Sequence, residues 1–241
     1  MPLSAKDRLT NPDERISLSE RAYLTIRDQI LKGELPLGAA LSRRKLAATL
    51  GMSMLPVAEA LQRLENDGVV ESRPRIGTRV CRPTAQDIRE RYEVREALES
   101  HAARLFAQKA SARERLELKK MAEQMDAMFN RCAKGDNDPE FLYAVQSQHA
   151  QLHFRIAECT GCGALHRTIE KNHILIFNWL YDVAARRPPL PPSFHRDLIA
   201  ALSAGDPEQA DRAMRQHIRH GLDNIIRAIG PNPPTAVQRV K

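Results

Sequence analysis

The sequence predicts a mainly α-helical protein: an N-terminal winged helix-turn-helix followed by an all-α antiparallel helical bundle. Three observations carry this expectation. Leu46, Ala47 and Leu50 form a short apolar face, Gly51 interrupts it, and Val57, Ala60, Leu61 and Leu64 resume at spacings of three and four. Two β-type runs then flank Pro74 to Gly77. From Ala85 onward helical patterns follow one another across short breaks, with no convincing strand.

In chain order, residues 1–17 are polar and are expected to be a flexible N-terminus. Leu18–Lys32 reads as a helix with Ala22, Tyr23, Ile26, Ile30 and Leu31 inward, stopped by Gly33. Residues 18–82 are expected to form the winged helix-turn-helix. Ser53 is expected to cap its second helix, and Pro56 is tolerated in the first turn, where N–H groups lack helical partners. The second helix of such a unit fits the major groove of DNA. Val69 and Val70 open the wing, and Arg73, Arg75 and Arg79 place charge where a phosphate backbone would pass.

Arg82-Pro83-Thr84 marks a boundary, and residues 85–230 are expected to form the helical ligand-binding and dimerisation domain. Its predicted helices run at 85–109, 112–133, 139–160, 163–185, 192–203 and 206–229. The tail 231–241, with three prolines, is expected to be disordered.

Composition narrows the partners. The net charge is +7, and residues 43–82 carry eight Lys/Arg against four Asp/Glu, so basicity gathers around the reading head. No apolar run is long enough to span a bilayer, and the first residues lack the apolar core of a signal peptide. Four cysteines show no disulfide-framework spacing. A cytoplasmic protein without membrane contact is expected.

Four histidines fall on apolar faces. His149 lies in the row Leu142, Val145, His149, Leu152, Ile156, and His153 follows at i+4. His195 heads the row with Leu198, Ile199 and Leu202, and His217 follows Ala210 and Met214. Several imidazoles buried without partners cost a few kcal/mol each, and a shared divalent metal removes that cost. Zn²⁺ or Ni²⁺ suits such ligands. Cys159-Thr160-Gly161-Cys162 reads instead as small residues at a helix junction, because no second such pair exists.

Taken together, the chain resembles the GntR family of transcriptional regulators, in its FadR-like branch with the helical FCD domain. In the reading head the likeness rests on Leu37-Gly38, Leu46-Ala47, Leu50-Gly51, Ser53, Pro56-Val57, Glu59-Ala60-Leu61, Arg63-Leu64-Glu65, Gly68 and Gly77. Tyr92-Glu93-Val94-Arg95 and Leu98-Glu99 resemble the opening of the FCD domain. The resemblance implies DNA contacts from Arg44 and the Gly77 wing tip, and a metal held by His149, His153, His195 and His217. At the first of these positions the family usually has aspartate. It also often has arginine where this chain has Met54 and Ala58.

The expected DNA-binding set is therefore Arg43, Arg44, Lys45, Ser53, Met54, Pro56, Arg73, Arg75, Gly77, Thr78 and Arg79, leaning on backbone and wing more than on the recognition helix. The expected function is a metabolite-responsive regulator acting as a repressor. A homodimer would meet a near-palindromic double-stranded operator, and the bundle would hold a divalent metal and a small carboxylate. Arg95 lies on the inward row Ile88, Tyr92, Arg95, Glu99, where it would pair either with the effector carboxylate or with Glu99 at i+4. Rival readings are a zinc metalloenzyme, disfavoured because no HExxH supplies a base, and a metal-stapled assembly module.

Overall fold

The computed structural model describes residues 16–136, 138–184 and 189–229. The N-terminal stretch 1–15, the tail 231–241 and part of the expected break at 186–192 lie outside the described residues. The chain divides into two compact units. One comprises the described residues through Ile30 with Gly38–Cys81, and the other Leu31–Leu37 with the described residues from Arg82 onward.

In the first unit α1 (Leu18–Leu31) buries Ala22, Tyr23, Ile26 and Ile30, as its periodicity requires. α2 (Arg43–Leu50) starts at Ser42, whose hydroxyl accepts from the Lys45 N–H, and ends at Gly51, whose φ of 62° only glycine adopts without strain. α3 (Met54–Asn66) buries Pro56, Val57, Ala60, Leu61 and Leu64. Tyr23 donates a hydrogen bond to Asp67 at 2.8 Å, which ties α1 to the end of α3. Burial and that carboxylate push the phenol up to about 12.

Ser53 occupies the N-cap position of α3, yet its side chain makes no capping bond, contrary to expectation. The sequence also gives no sign of β1 (Ala40–Leu41), which is too short to carry a period. β1 pairs with β3 (Gly77–Val80), and β3 pairs with β2 (Val70–Arg73), all antiparallel in the order β1-β3-β2. The wing turns through Arg75 and Gly77 at φ 65° and 92°.

The second unit is helical: α4 (Ala85–Lys109), α5 (Ala112–Ala133), α6 (Pro139–Glu158), α7 (Gly163–Ala184), α8 (Phe194–Ser203) and α9 (Pro207–Ile229). Capping boxes start α4 at Thr84 with Asp87 and α5 at Ser111 with Glu114. α9 packs along α4, α6 against α7, and α5 against α8. Phe106, Leu118, Met125, Leu152, Ile156, Ile199 and Met214 meet in the core.

Helix ends differ from expectation by one or two residues. α6 stops at Glu158, and the chain turns away at Gly161, whose φ is 71°. α8 begins at Phe194, with Ser193 at its N-cap position. No helix among the described residues is long and apolar enough to cross a membrane.

Candidate metal centre and nucleic-acid interface

Imidazoles from α6 and α9 converge in the second unit. The Nε2 atoms of His149, His153 and His217 stand 3.2–3.3 Å from one another. Two nitrogens on one tetrahedral zinc are separated by about 3.3 Å, given Zn–N bonds of about 2.0–2.1 Å. The i, i+4 spacing on α6 sets His149 edge-on to His153, and Phe194 lies against the His217 ring at 4.8 Å between centroids.

The outer nitrogens of His153 and His195 face carboxylates, whereas His217 Nδ1 is buried without a hydrogen-bond partner. His153 Nδ1 lies 2.6 Å from Glu99 Oε2, although off the line of a straight N–H···O bond. That carboxylate draws the ring proton to Nδ1 and leaves Nε2 as a donor to a cation. His195 is fixed in the same way: its Nδ1 and its backbone N–H both meet Asp126 Oδ1, at 2.8 and 2.9 Å. Its buried Nε2 has no hydrogen-bond partner. The ring sits 5.1 Å from His149 and 5.5 Å from His217, centroid to centroid, so His195 joins the cluster's wall. The set of donors within 4.8 Å of one another comprises His149, His153 and His217 without it. The four histidines thus face one region, with three of them in ligand register.

Burial holds His149 and His217 well below the usual histidine range, and holds His173 at about 4. His195 is lowered too, burial outweighing the Asp126 hydrogen bond. Neutral imidazoles are what a metal requires. Burial pushes the Glu99 carboxyl up, but the Arg95, His173 and His153 charges outweigh it and hold it well below the carboxylate range.

A pH dependence follows. The unfolded chain takes protons onto these rings near pH 6.5, and the folded chain refuses them. Stability of the metal-free protein is therefore full above about pH 6.5 and is lost as pH falls through that value toward about 4. Thermal unfolding after chelation is expected to drop between pH 7 and 5.5, where carboxylates do not yet titrate. A flat midpoint across that window would contradict it.

Glu99 also binds Arg95 and His173. Arg95 Nε lies 2.6 Å from Oε1, and His173 Nε2 lies 2.8 Å from the same oxygen. Glu99, His153 and His173 form a second close donor set. The guanidinium beside its carboxylate makes that set an ion-pair network rather than a metal site. Arg95 thus makes the internal pair with Glu99, and it also lines a cavity with Tyr92, His149, His195, His217 and Asn224. The cavity holds about 40 Å³, room for a few waters at about 10–15 Å³ each.

Sequence reasoning did not single out Asp126, His173 or His220. Asp126 had a signal: it lies at i+4 from Ala122 in the buried row Leu118, Ala122, Met125. His220 joins the cavity wall. Cys159 is buried, its thiol pushed up to about 12, and Cys162 is exposed, so the pair remains a helix junction.

In the first unit Arg43, Arg44, Lys45, Ser53, Met54, Arg73, Arg75 and Gly77 are exposed. Arg79 is half-buried. The side chains of Pro56 and Thr78 are buried. Pro56 falls on the inner face of α3, and Thr78 alternates inward with Val80 and bonds the Ser72 hydroxyl at 3.0 Å. Arg44→Ala and Arg75→Ala are each expected to weaken binding to all duplexes alike and to reduce the salt slope of log K by about 0.9. Salt titrations of duplex binding test this, and unchanged slopes would contradict it.

A winged helix-turn-helix on one unit and a helical body on the other are the architecture of a DNA-binding regulator. Comparisons agree. The profile of the bacterial regulatory proteins of the gntR family matches residues 18–80, and that of the FCD domain matches residues 90–220. A Paenarthrobacter nicotinovorans protein named for repression of a D-xylose utilization operon is 34% identical over 195 residues, 79% of this chain and 80% of its own. The Escherichia coli K12 HTH-type transcriptional repressor RspR is 23% identical over 219 residues, 89% of this chain and 91% of its own. A GntR regulator structure from Rhodococcus sp. RHA1 matches the fold with a TM-score of 0.71 at 22% identity, over 87% of this chain and 98% of that one. The chain belongs to the GntR family of transcriptional regulators, with a C-terminal FCD domain. Its class works by binding rather than by catalysis, which displaces the metalloenzyme reading.

Proposed function

We propose that the protein is a metabolite-responsive repressor, a homodimer on a near-palindromic operator, whose helical unit binds a divalent metal and a small carboxylate. One observation carries the reading. The Nε2 atoms of His149, His153 and His217 converge within 3.3 Å of one another, and His149 and His217 line a cavity that the buried Arg95 also lines. His149, His153 and His217 would hold the ion, with His195 Nε2 as a further donor from the wall. An all-nitrogen set suits zinc or nickel over magnesium or calcium. The metal, when bound, supplies a positive centre to which a carboxylate oxygen can attach.

The remaining work belongs to the chain. Glu99 and Asp126 hold His153 and His195 in their metal-facing tautomers. Arg95 presents positive charge to the cavity, and the Phe194 and Phe129 rings restrict how His217 and His195 turn. An occupant that draws Arg95 toward itself disturbs the Glu99 network joining α4, α6 and α7. The cavity beside the donors favours sensing over a purely structural staple, which needs no space for a guest.

A thermal-shift screen of small carboxylic acids, with and without zinc, tests the reading. Stabilisation by at least one acid only in the presence of zinc supports it. Equal response with and without metal counts against it.

A further inference from the structure

Among the described residues, the three most exposed large apolar side chains are Leu55 at 69%, Met54 at 60% and Ile76 at 58%. All three sit on the reading head, two at the start of α3 and one in the wing turn. Packing does not require them there, because the core face of α3 is already filled by Pro56, Val57, Ala60, Leu61 and Leu64.

The rest of α3 sharpens the point. Arg63 is its only basic residue, and it is held by an ion pair with Glu20 and by the Tyr23 ring 3.9 Å beneath its guanidinium. No free guanidinium therefore projects from the start of this helix to read guanine. Positive charge lies to either side, on exposed Arg43, Arg44 and Lys45 and on exposed Arg73 and Arg75. Those cations suit the phosphate backbones that border a major groove. A recognition helix meets base edges with its N-terminal residues, and here these are Met54 and Leu55, with the small Ala58 one turn on. The thymine C5-methyl is the apolar group that a base edge offers in the major groove.

We propose that Met54 and Leu55 are specificity-determining residues that read thymine methyl groups in the operator half-site. This rests on the DNA-binding reading of the first unit. It makes the recognition helix an apolar reader placed between cationic flanks, so sequence preference comes from methyl contacts while the arginines supply general affinity.

The test begins by selecting duplexes from a random-sequence library with the full-length protein at low salt. The selected duplex is then resynthesised with deoxyuridine in place of thymidine at one position at a time, which keeps pairing and removes only the methyl. Loss of about fourfold in affinity at one or two positions per half-site is expected, the value for burying one methyl-sized group. Met54→Ala or Leu55→Ala is expected to abolish that penalty at its own position. Both side chains are exposed, so the fold tolerates the change. If the selected duplex binds tightly but no deoxyuridine substitution costs more than about 1.5-fold, methyl reading is overturned while DNA binding stands. A penalty that persists unchanged in both variants also overturns it. If no duplex is enriched or bound at low salt, the DNA-binding reading itself falls.

Discussion

Replacing His153 and His217 together by alanine is expected to abolish tight zinc binding while the helices stay in place. Structural zinc sites bind with roughly 10–16 kcal/mol, so each ligand of four contributes on the order of 3 kcal/mol. Losing two leaves affinity at least about 1,000-fold weaker. The fold should survive because burial already holds the His217 ring well below the usual histidine range in the metal-free protein, and the surrounding core of Leu152, Ile156 and Met214 is unchanged. Competition titration against a zinc chelator measures the loss, and circular dichroism checks the helices. Wild-type zinc affinity in the double variant would remove the imidazole triangle from the account. Loss of zinc binding with collapse of helicity would favour the structural staple.

The second large effect is on stability. Glu99→Leu leaves the Arg95 guanidinium buried without its carboxylate and takes the partner from His173 as well. Stranding one member of a buried pair costs about 3–5 kcal/mol. For a chain of this size that lowers the unfolding midpoint by roughly 6–20 °C. The double change Arg95→Met with Glu99→Leu removes both charges, and buried pairs replaced in this way are often neutral. It is expected to recover most of the loss. Thermal unfolding of the wild type, the single and the double variant distinguishes the cases. A double variant no more stable than the single one would show that the network is not held by this pair.

The helices were legible because their faces are long. Ala22, Tyr23, Ile26 and Ile30, or Val145, Leu152 and Ile156, repeat over several turns, and glycines at positive φ such as Gly51, Gly135 and Gly205 close the segments. The histidine cluster was legible for the same reason, since an imidazole inside an apolar row has only the core to enter. What escaped depends on geometry between elements. β1 has two residues, and its pairing with β3 is a tertiary event. Pro56 and Thr78 look like surface residues by type, yet helix phase and strand alternation turn them inward. His195 is in the right helix, but Asp126 grips both its ring and its backbone, and its donor nitrogen falls outside the close set formed by the other three. Asp126 itself lies 69 residues away in sequence, a distance across which no local pattern announces a partner.

The most direct measurement is the affinity of the zinc-loaded protein for its selected duplex, read by fluorescence anisotropy across a panel of small carboxylic acids. Sensing through the imidazole cavity predicts that at least one acid shifts the dissociation constant by about 5–150-fold, and that the His153→Ala, His217→Ala protein shows no such shift. An unchanged dissociation constant with an acid demonstrably bound to the helical unit, or an equal shift in the variant, would contradict it.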